Sequence, residues 1–229
     1  MRTIHSSPKS FSPLVRVAQL VVIIGAVFLL FGCASTYDYT AFKESRPRSI
    51  LVMPPVNQSL DTEAPLTFLA TSTWPLAEAG YYVIPVTLSD QMFKQNGVTV
   101  AEEALNIDYH KLHDIFGADA ALYITVTSYG AKYMVIDSKV DATASARLID
   151  LKTGEELWSG TATAQANNSA GSSGFGILGA LVTAAVNQAI NTLSDKSYQA
   201  GRSANHLLLL AGRKDGVLYG PYSPKYQTD

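Results

Sequence analysis

The feature that most constrains this chain is the uncharged run Val17–Phe31, 15 residues followed by Gly32 and then Cys33, the single cysteine among 229 residues. Arg2, Lys9 and Arg16 are the only charged residues ahead of it. A basic start, a short apolar centre and a small residue at the cut are the three parts of a secretory signal. A spanning helix needs about 20 apolar residues, so the run reads as a signal centre in preference to an uncleaved anchor. Residues 1–32 then drop out of the fold. The remaining 197 residues have no second thiol for a disulfide or a zinc cluster, and must be held by packing alone in an oxidising compartment.

The order Leu30-Phe31-Gly32-Cys33 resembles the bacterial lipoprotein signal. That resemblance implies diacylation of the Cys33 thiol, cleavage before it, and acylation of the new amino terminus. One chain such as palmitate holds a protein only marginally and two hold it stably, so Cys33 is expected to be a lasting tether. By the sorting rule of that signal family, Ala34 in place of an aspartate implies transfer to the outer membrane. The domain is expected to face the periplasm, with the cell surface as the alternative.

The chain has 17 basic and 19 acidic residues. Removal of the signal takes three basic ones and leaves a net charge of about minus 5, which carries no basic footprint for nucleic acid. A length of 197 fits one domain, or one domain and a tail. The expected division is a signal peptide over 1–32, a lipidated and mostly unstructured tether over 33–48, an α/β domain over 49–213 and a surface tail over 214–229.

Ser49–Met53 (SILVM) reads as a buried strand stopped by Pro54-Pro55. Leu66, Leu69, Ala70, Leu76 and Ala77 give a helix over 65–79 with its stop at Gly80, kinked or divided near Pro75. Tyr81–Val86 is a second strand, and strand, helix, strand in this order predicts a parallel crossover. Ser89 caps a short helix to Asn96, and Tyr109–Phe116 forms another that ends at Gly117. Ala120–Tyr129 is a strand rich in β-branched and aromatic residues. Beyond it Lys139–Leu148 alternates, Lys152-Thr153-Gly154 turns, and Trp158, Gly160, Ala162, Ala164 and Ala166 share the face that Val140, Ala142, Ala144 and Ala146 begin. The fold class is therefore α/β, a three-layer-like sandwich whose mixed sheet combines a parallel crossover with an antiparallel hairpin, with helices packed on it.

Small side chains on two adjacent strands let another backbone approach closely. The expected occupant is Phe175–Ile190, uncharged over 16 residues, which follows a connector over 167–174 and places Leu178, Val182, Ala185 and Ala189 on one helical face. The alternative is a subunit interface. Left exposed, such a helix would be a large apolar patch of the kind that marks partner sites, so Phe175, Ile177, Leu178, Leu181 and Val182 are the candidate interaction residues, for a protein partner or a homodimer. A final helix is expected over Tyr198–Arg213, buried at Leu207–Leu210.

The segments SILVMPPVN, AGYYVIPV, FGADAALYITVTSYG and ARLIDLKTGEELWSG resemble envelope lipoproteins related to the curli-secretion channel component, and share the α/β plan of the amino-terminal domain of TolB. More closely, the chain resembles a family of bacterial lipoproteins first described from Neisseria. The markers are the Gly117-Ala118-Asp119 turn and the Asp150–Gly154 hairpin. This resemblance implies a periplasmic domain serving envelope transport or assembly, and it brings no catalytic residues.

Other motifs are weak. Gly174, Gly176 and Gly179 spell GxGxxG with Asp195 downstream, but no strand precedes them, and the dinucleotide fingerprint requires strand, turn and helix. His110 and His113 share a helical face without a further ligand at metal-binding spacing; His206 reads as a helix-surface or packed histidine. No catalytic, cofactor or small-molecule site is assigned. The expectation is a non-enzymatic interaction module of an envelope transport or assembly complex; the alternative is a peptidoglycan-linked binding protein or regulator of a cell-wall synthase. Cys33→Ser is expected to leave the domain folded but release it from the membrane, read by fractionation and palmitate labelling; a variant that stays bound and labelled contradicts the lipid assignment.

Overall fold

A computed structural model describes residues 37–133, 138–166 and 193–229. Cys33 and the whole of 167–192, with the candidate interaction residues and the three glycines of the GxGxxG run, lie outside the described residues. Asp38–Asp229 forms a compact unit. Its elements are α1 (Thr40–Ser45), β1 (Ser49–Val52), β2 (Val56–Asn57), α2 (Ala64–Glu78), β3 (Tyr82–Val83), α3 (Val86–Gln95), α4 (Ala101–Ala104), α5 (Tyr109–Phe116), β4 (Ala120–Tyr133), β5 (Ser138–Asp150), β6 (Glu156–Ala166) and α6 (Leu193–Leu209).

The sheet has the order β3-β1-β4-β5-β6, with β2 also pairing to β4. β1 runs parallel to β3 and to β4, while β4, β5 and β6 are antiparallel neighbours. This is the mixed sheet expected from the sequence. Side chains alternate between faces along each strand. Leu51, Met53 and Ala121 pack with Phe93, Ala104 and Leu112 of α3, α4 and α5 on one face. α2 and α6 cover the other, where Tyr129 meets Thr67 and Phe68.

The alanine surface has an occupant, and it is α6. Val140, Ala142, Ala144, Ala146, Ala162 and Ala164 are all buried, and so are Ser197, Ala200, Gly201, Ala204 and Leu208, which recur at helical spacing on one side of α6. A small helix face therefore meets a small sheet face. At Gly201 an added Cβ would lie 2.6 Å from Tyr129 Cε2 and 2.9 Å from Thr67 Cγ2, distances that only the absence of a side chain allows. Residues 175–190, expected on this surface or at a subunit interface, lie outside the described residues, and among the described residues α6 is the element that covers it.

Several boundaries also differ. Residues 40–45 are helical instead of unstructured, because Phe42 is buried and Arg46 closes the turn in a left-handed conformation, donating its N–H to Phe42 O. The second strand is cut to Tyr82–Val83 since Pro85 begins α3, so Ser89 lies inside that helix and donates to Val86 O at 3.1 Å instead of capping it. α2 runs through Pro75 without division. α6 starts at Leu193 and stops at Leu209, where Arg213 donates to the carbonyl of Leu207. The segment after it is docked: Val217 and Leu218 are buried, and Gly220 N and Tyr222 N donate to Ala79 O and Gly80 O at 2.8 and 3.0 Å. Gly80 and Gly220 face each other there, where a Cβ on either would overlap backbone.

Two aspartates tie the strand ends together. Asp119 accepts from Arg48 N (3.0 Å), Ser49 N (3.2 Å), Ser49 Oγ (3.1 Å) and Lys152 Nζ (3.0 Å). Asp150 accepts from Lys152 N (2.7 Å), Thr153 N (2.9 Å) and the Ser45 hydroxyl. Partial burial works to raise both carboxyls, but the donors outweigh it and hold both below the ordinary aspartate value of 3.8. A depressed folded pKa means that the unfolded chain binds more protons in the window just below 3.8, so stability from these groups is complete above it and is lost as pH falls through it. Asp119→Asn is expected to lower unfolding free energy at neutral pH by about 1–2 kcal/mol and to flatten the acid limb of a stability profile measured by urea unfolding. An unchanged profile would remove the clamp from the account.

Candidate interaction surface

Five apolar positions of α2 stand at near-helical spacing, but of these the helix buries only Leu69 and Leu76. Ala64, Thr67, Phe68, Leu69, Ser72, Pro75 and Leu76 face inward. Leu66 is 61% exposed, Trp74 is 54% exposed, and Ala70 and Ala77 are exposed. The cause is a polar seam between α2 and α6. Thr71 Oγ1 donates to Thr67 O (2.7 Å) and Ser72 Oγ to Phe68 O (2.6 Å), each satisfying a hydroxyl within the helix. Their remaining lone pairs face the amide of Asn205, fully buried on α6, whose Nδ2 lies 2.8 Å from Thr71 Oγ1, 3.1 Å from Ser72 Oγ and 2.9 Å from Phe68 O. These bonds pair the Asn205 amide nitrogen with α2, while Asn205 Oδ1 is buried with no hydrogen-bond partner among the described residues, so the seam is only partly satisfied. The bonds fix the rotation of α2, and that rotation turns Leu66, Ala70, Trp74 and Ala77 outward as one stripe.

α6 contributes the adjoining side. Tyr198 is 45% exposed, and Arg202 is exposed. The Arg202 guanidinium carbon lies 5.7 Å from the centre of the Trp74 ring, within cation–π range. His206 is half-buried, its ring centroid 5.7 Å from that of Trp74 at an interplanar angle of 35°. Trp74 is thus held between two α6 side chains while half of it stays open to solvent. No ion pair among the described residues involves Arg202. Other exposed apolar side chains, such as Leu88 and Met92 of α3, have no such aromatic and cationic clustering. Periodicity alone places Leu66, Ala70 and Ala77 in the core and a break at Trp74-Pro75, which hides this ridge.

The other singled-out residues separate. His110 Nδ1 lies 3.6 Å from Asp108 Oδ1, whereas His113 Nδ1 lies 2.8 Å from Ala118 O at the end of α5. Among the described residues no three of His, Cys, Asp or Glu come together to hold a metal. Asp195 lies in α6 and on no strand, contrary to what a ribose contact requires. No helix among the described residues is long and apolar enough to cross a membrane.

A family model described as "Putative lipoprotein GNA1162-like" matches residues 37–222. The "Putative lipoprotein NMB1124/NMB1162" of Neisseria meningitidis serogroup B is 46% identical over 206 residues, 88% of this chain and 95% of that protein. The crystal structure of lipoprotein GNA1162 from Neisseria meningitidis is 48% identical, with a TM-score of 0.52 over 64% of this chain and 100% of that one. A chain of the PelC dodecamer from Paraburkholderia phytofirmans aligns at 15% identity and a TM-score of 0.44 over 71% of this chain and 85% of that one, a likeness from which no role is carried over.

Proposed function

This chain belongs to the GNA1162-like lipoprotein family, and from that premise we propose that it is an outer-membrane-anchored periplasmic lipoprotein. It is held by acyl chains on Cys33 and acts as a non-enzymatic interaction module in an envelope transport or assembly complex. The family and its Neisseria members are described as lipoproteins and not by an activity. The α2–α6 ridge is the observation that carries the interaction reading. Trp, Tyr and Arg are the residue types enriched where a few contacts supply most of the binding energy of a protein interface. Trp74 and Arg202 meet on it, and Tyr198 lies one helical turn before Arg202, on two helices fixed to the sheet. Residues 175–190, uncharged and apolar, enter the chain just ahead of α6 and supply the second candidate surface, through Phe175, Ile177, Leu178, Leu181 and Val182. The occupant is a protein partner or a second copy of the chain.

Replacing Tyr198 by a photoreactive aromatic residue in intact cells is expected to capture one defined adduct, another protein or a second copy. The same probe at Lys111, on α5, is expected to give none. Adding Trp74→Ala is expected to reduce the adduct about tenfold or more, the consequence of losing a hot-spot aromatic, without lowering the amount of folded protein. Recovery of monomer alone would contradict the interaction reading, and saturable binding of the purified protein to sacculi would favour the peptidoglycan-linked alternative.

A further inference from the structure

β1, β3 and β4 begin at one end of the sheet, where Ser49 pairs with Tyr82 and Ile50 with Ala120, and β5 ends there with Asp150 opposite Ala120. Two segments close over that end. α1 is fastened by the burial of Phe42 and by the Ser45 hydroxyl, which donates to Asp150. The C-terminal segment is fastened by Tyr81, which donates its hydroxyl to Leu218 O at 2.7 Å, and by Trp158, whose Nε1 donates to Asp215 O at 3.0 Å. Tyr39 joins the two, donating to Gly216 O at 2.5 Å. Between them lies a concavity of about 240 Å³, with Phe42, Tyr81 and Leu218 buried beneath it and Tyr219 and Tyr226 in its lining.

The surface of this end is aromatic and mixed in charge. Tyr222 is 62% exposed, and Tyr219 and Tyr226 on either side of it are half-buried. Lys43, Arg46 and Lys225 are exposed, but Asp38, Glu44 and Asp229 are exposed among them, so neither sign prevails. Tyrosine has an apolar ring and a polar tip, the combination enriched where a protein meets the head-group level of a bilayer. The length of the tether brings a bilayer to this end. Asp38, where the compact unit opens, is five positions after Cys33, a span of about 18 Å at full extension. The opposite end of the sheet stands farther off. Asn57 pairs with Val126, six positions up β4 from Ala120, about 20 Å along the strand, and the exposed Leu60 follows it. A domain inverted on the membrane would need a longer tether than the chain supplies.

We propose that the end of the sheet closed by α1 and the C-terminal segment rests on the bilayer that holds Cys33, with the rings of Tyr219, Tyr222 and Tyr226 at the level of the lipid head groups. This rests on the lipid-anchor reading of Cys33. The mixed charges make the contact indifferent to the charge of the lipid. The carboxyl end of α2 lies at the same end of the sheet, where Ala79 O accepts from Gly220 N at 2.8 Å. The ridge therefore runs up α2 from Ala77 to Leu66, away from the bilayer, and is left for a protein.

The test uses the full chain, acylated in cells and reconstituted in vesicles of phosphatidylcholine. Acylation leaves no thiol at Cys33, so Tyr222→Cys and Leu60→Cys each offer a single site for a fluorescent label. Both side chains are exposed, and an unchanged melting temperature checks that each variant is folded. Lipid carrying a nitroxide on its head group is expected to remove most of the fluorescence of the label at 222 and none of that at 60. Adding phosphatidylglycerol or raising the salt concentration is expected to leave both results unchanged. No loss at 222, equal loss at both positions, or a loss at 222 that requires phosphatidylglycerol would each overturn the proposal. Palmitate labelling of the same chains reads the anchor separately: a palmitate-labelled chain without loss at 222 refutes the surface and leaves the anchor standing, and a chain without palmitate refutes both.

Discussion

The packing of α6 against the alanine face of β5 and β6 is the contact on which the rest of the structure depends. Helix and sheet both offer small side chains, Ala200, Gly201 and Ala204 on one side and Ala142, Ala144, Ala146, Ala162 and Ala164 on the other. Little apolar area is buried per residue at such a seam, so its strength comes from close dispersion contact, which falls steeply with any gap. That explains the intolerance for a side chain at Gly201. It also explains why α2 can lie beside α6 on the same face. With α6 drawn in to the sheet, Thr67 reaches the Tyr129 hydroxyl at 2.9 Å and Asn205 reaches the hydroxyls of Thr71 and Ser72.

The outer surface follows from that inner arrangement. A polar seam in the interior usually costs stability unless it is satisfied, and here it also sets an angle. Because Thr67 and Ser72 point inward, Leu66 and Trp74 point outward, and Arg202 and His206 close on Trp74 from α6. A surface aromatic held by two neighbours loses little further freedom on binding, which favours association. The opposite end of the fold follows a similar logic. Phe42 buries α1, the C-terminal segment closes over Tyr81, and the cations of α1 are left at the rim of the cavity between them.

Where one periodicity dominated, the sequence was legible. The α/β class, the parallel pairing of the first strand, the strand from Ala120, the Asp150–Gly154 turn and the helix Tyr109–Phe116 ending at Gly117 all rest on alternation, helical spacing or a residue with a positive φ. The alanine face was legible as a place of close approach, but its occupant was not. Composition favoured the uncharged 175–190, whereas α6 carries Lys196, Arg202 and His206 and shows its small face only when Ser197, Ala200, Gly201 and Ala204 are counted as apolar equivalents. The ridge was hidden for the converse reason: hydrophobicity alone sends Leu66 and Trp74 inward, and only the pairing of Thr71 and Ser72 with Asn205, 133 residues apart in the case of Ser72, reverses it. Long-range polar pairing of this kind leaves no local signature. Asp119 shows the intermediate case, since its turn was recognisable but its four donors come from segments up to 71 residues away.

Among the described residues α6 covers the alanine face of β5 and β6, and residues 175–190 are proposed for association instead of for the core. The most direct measurement is the thermal unfolding of the unlipidated mature chain in which 175–190 is replaced by a short Gly-Ser linker. The account predicts a cooperative transition within about 3 °C of the parent, equivalent to roughly 1 kcal/mol for a domain of this size. A fall of more than about 10 °C on the same scale, or loss of the cooperative transition, would show that the segment belongs to the core and would contradict the account.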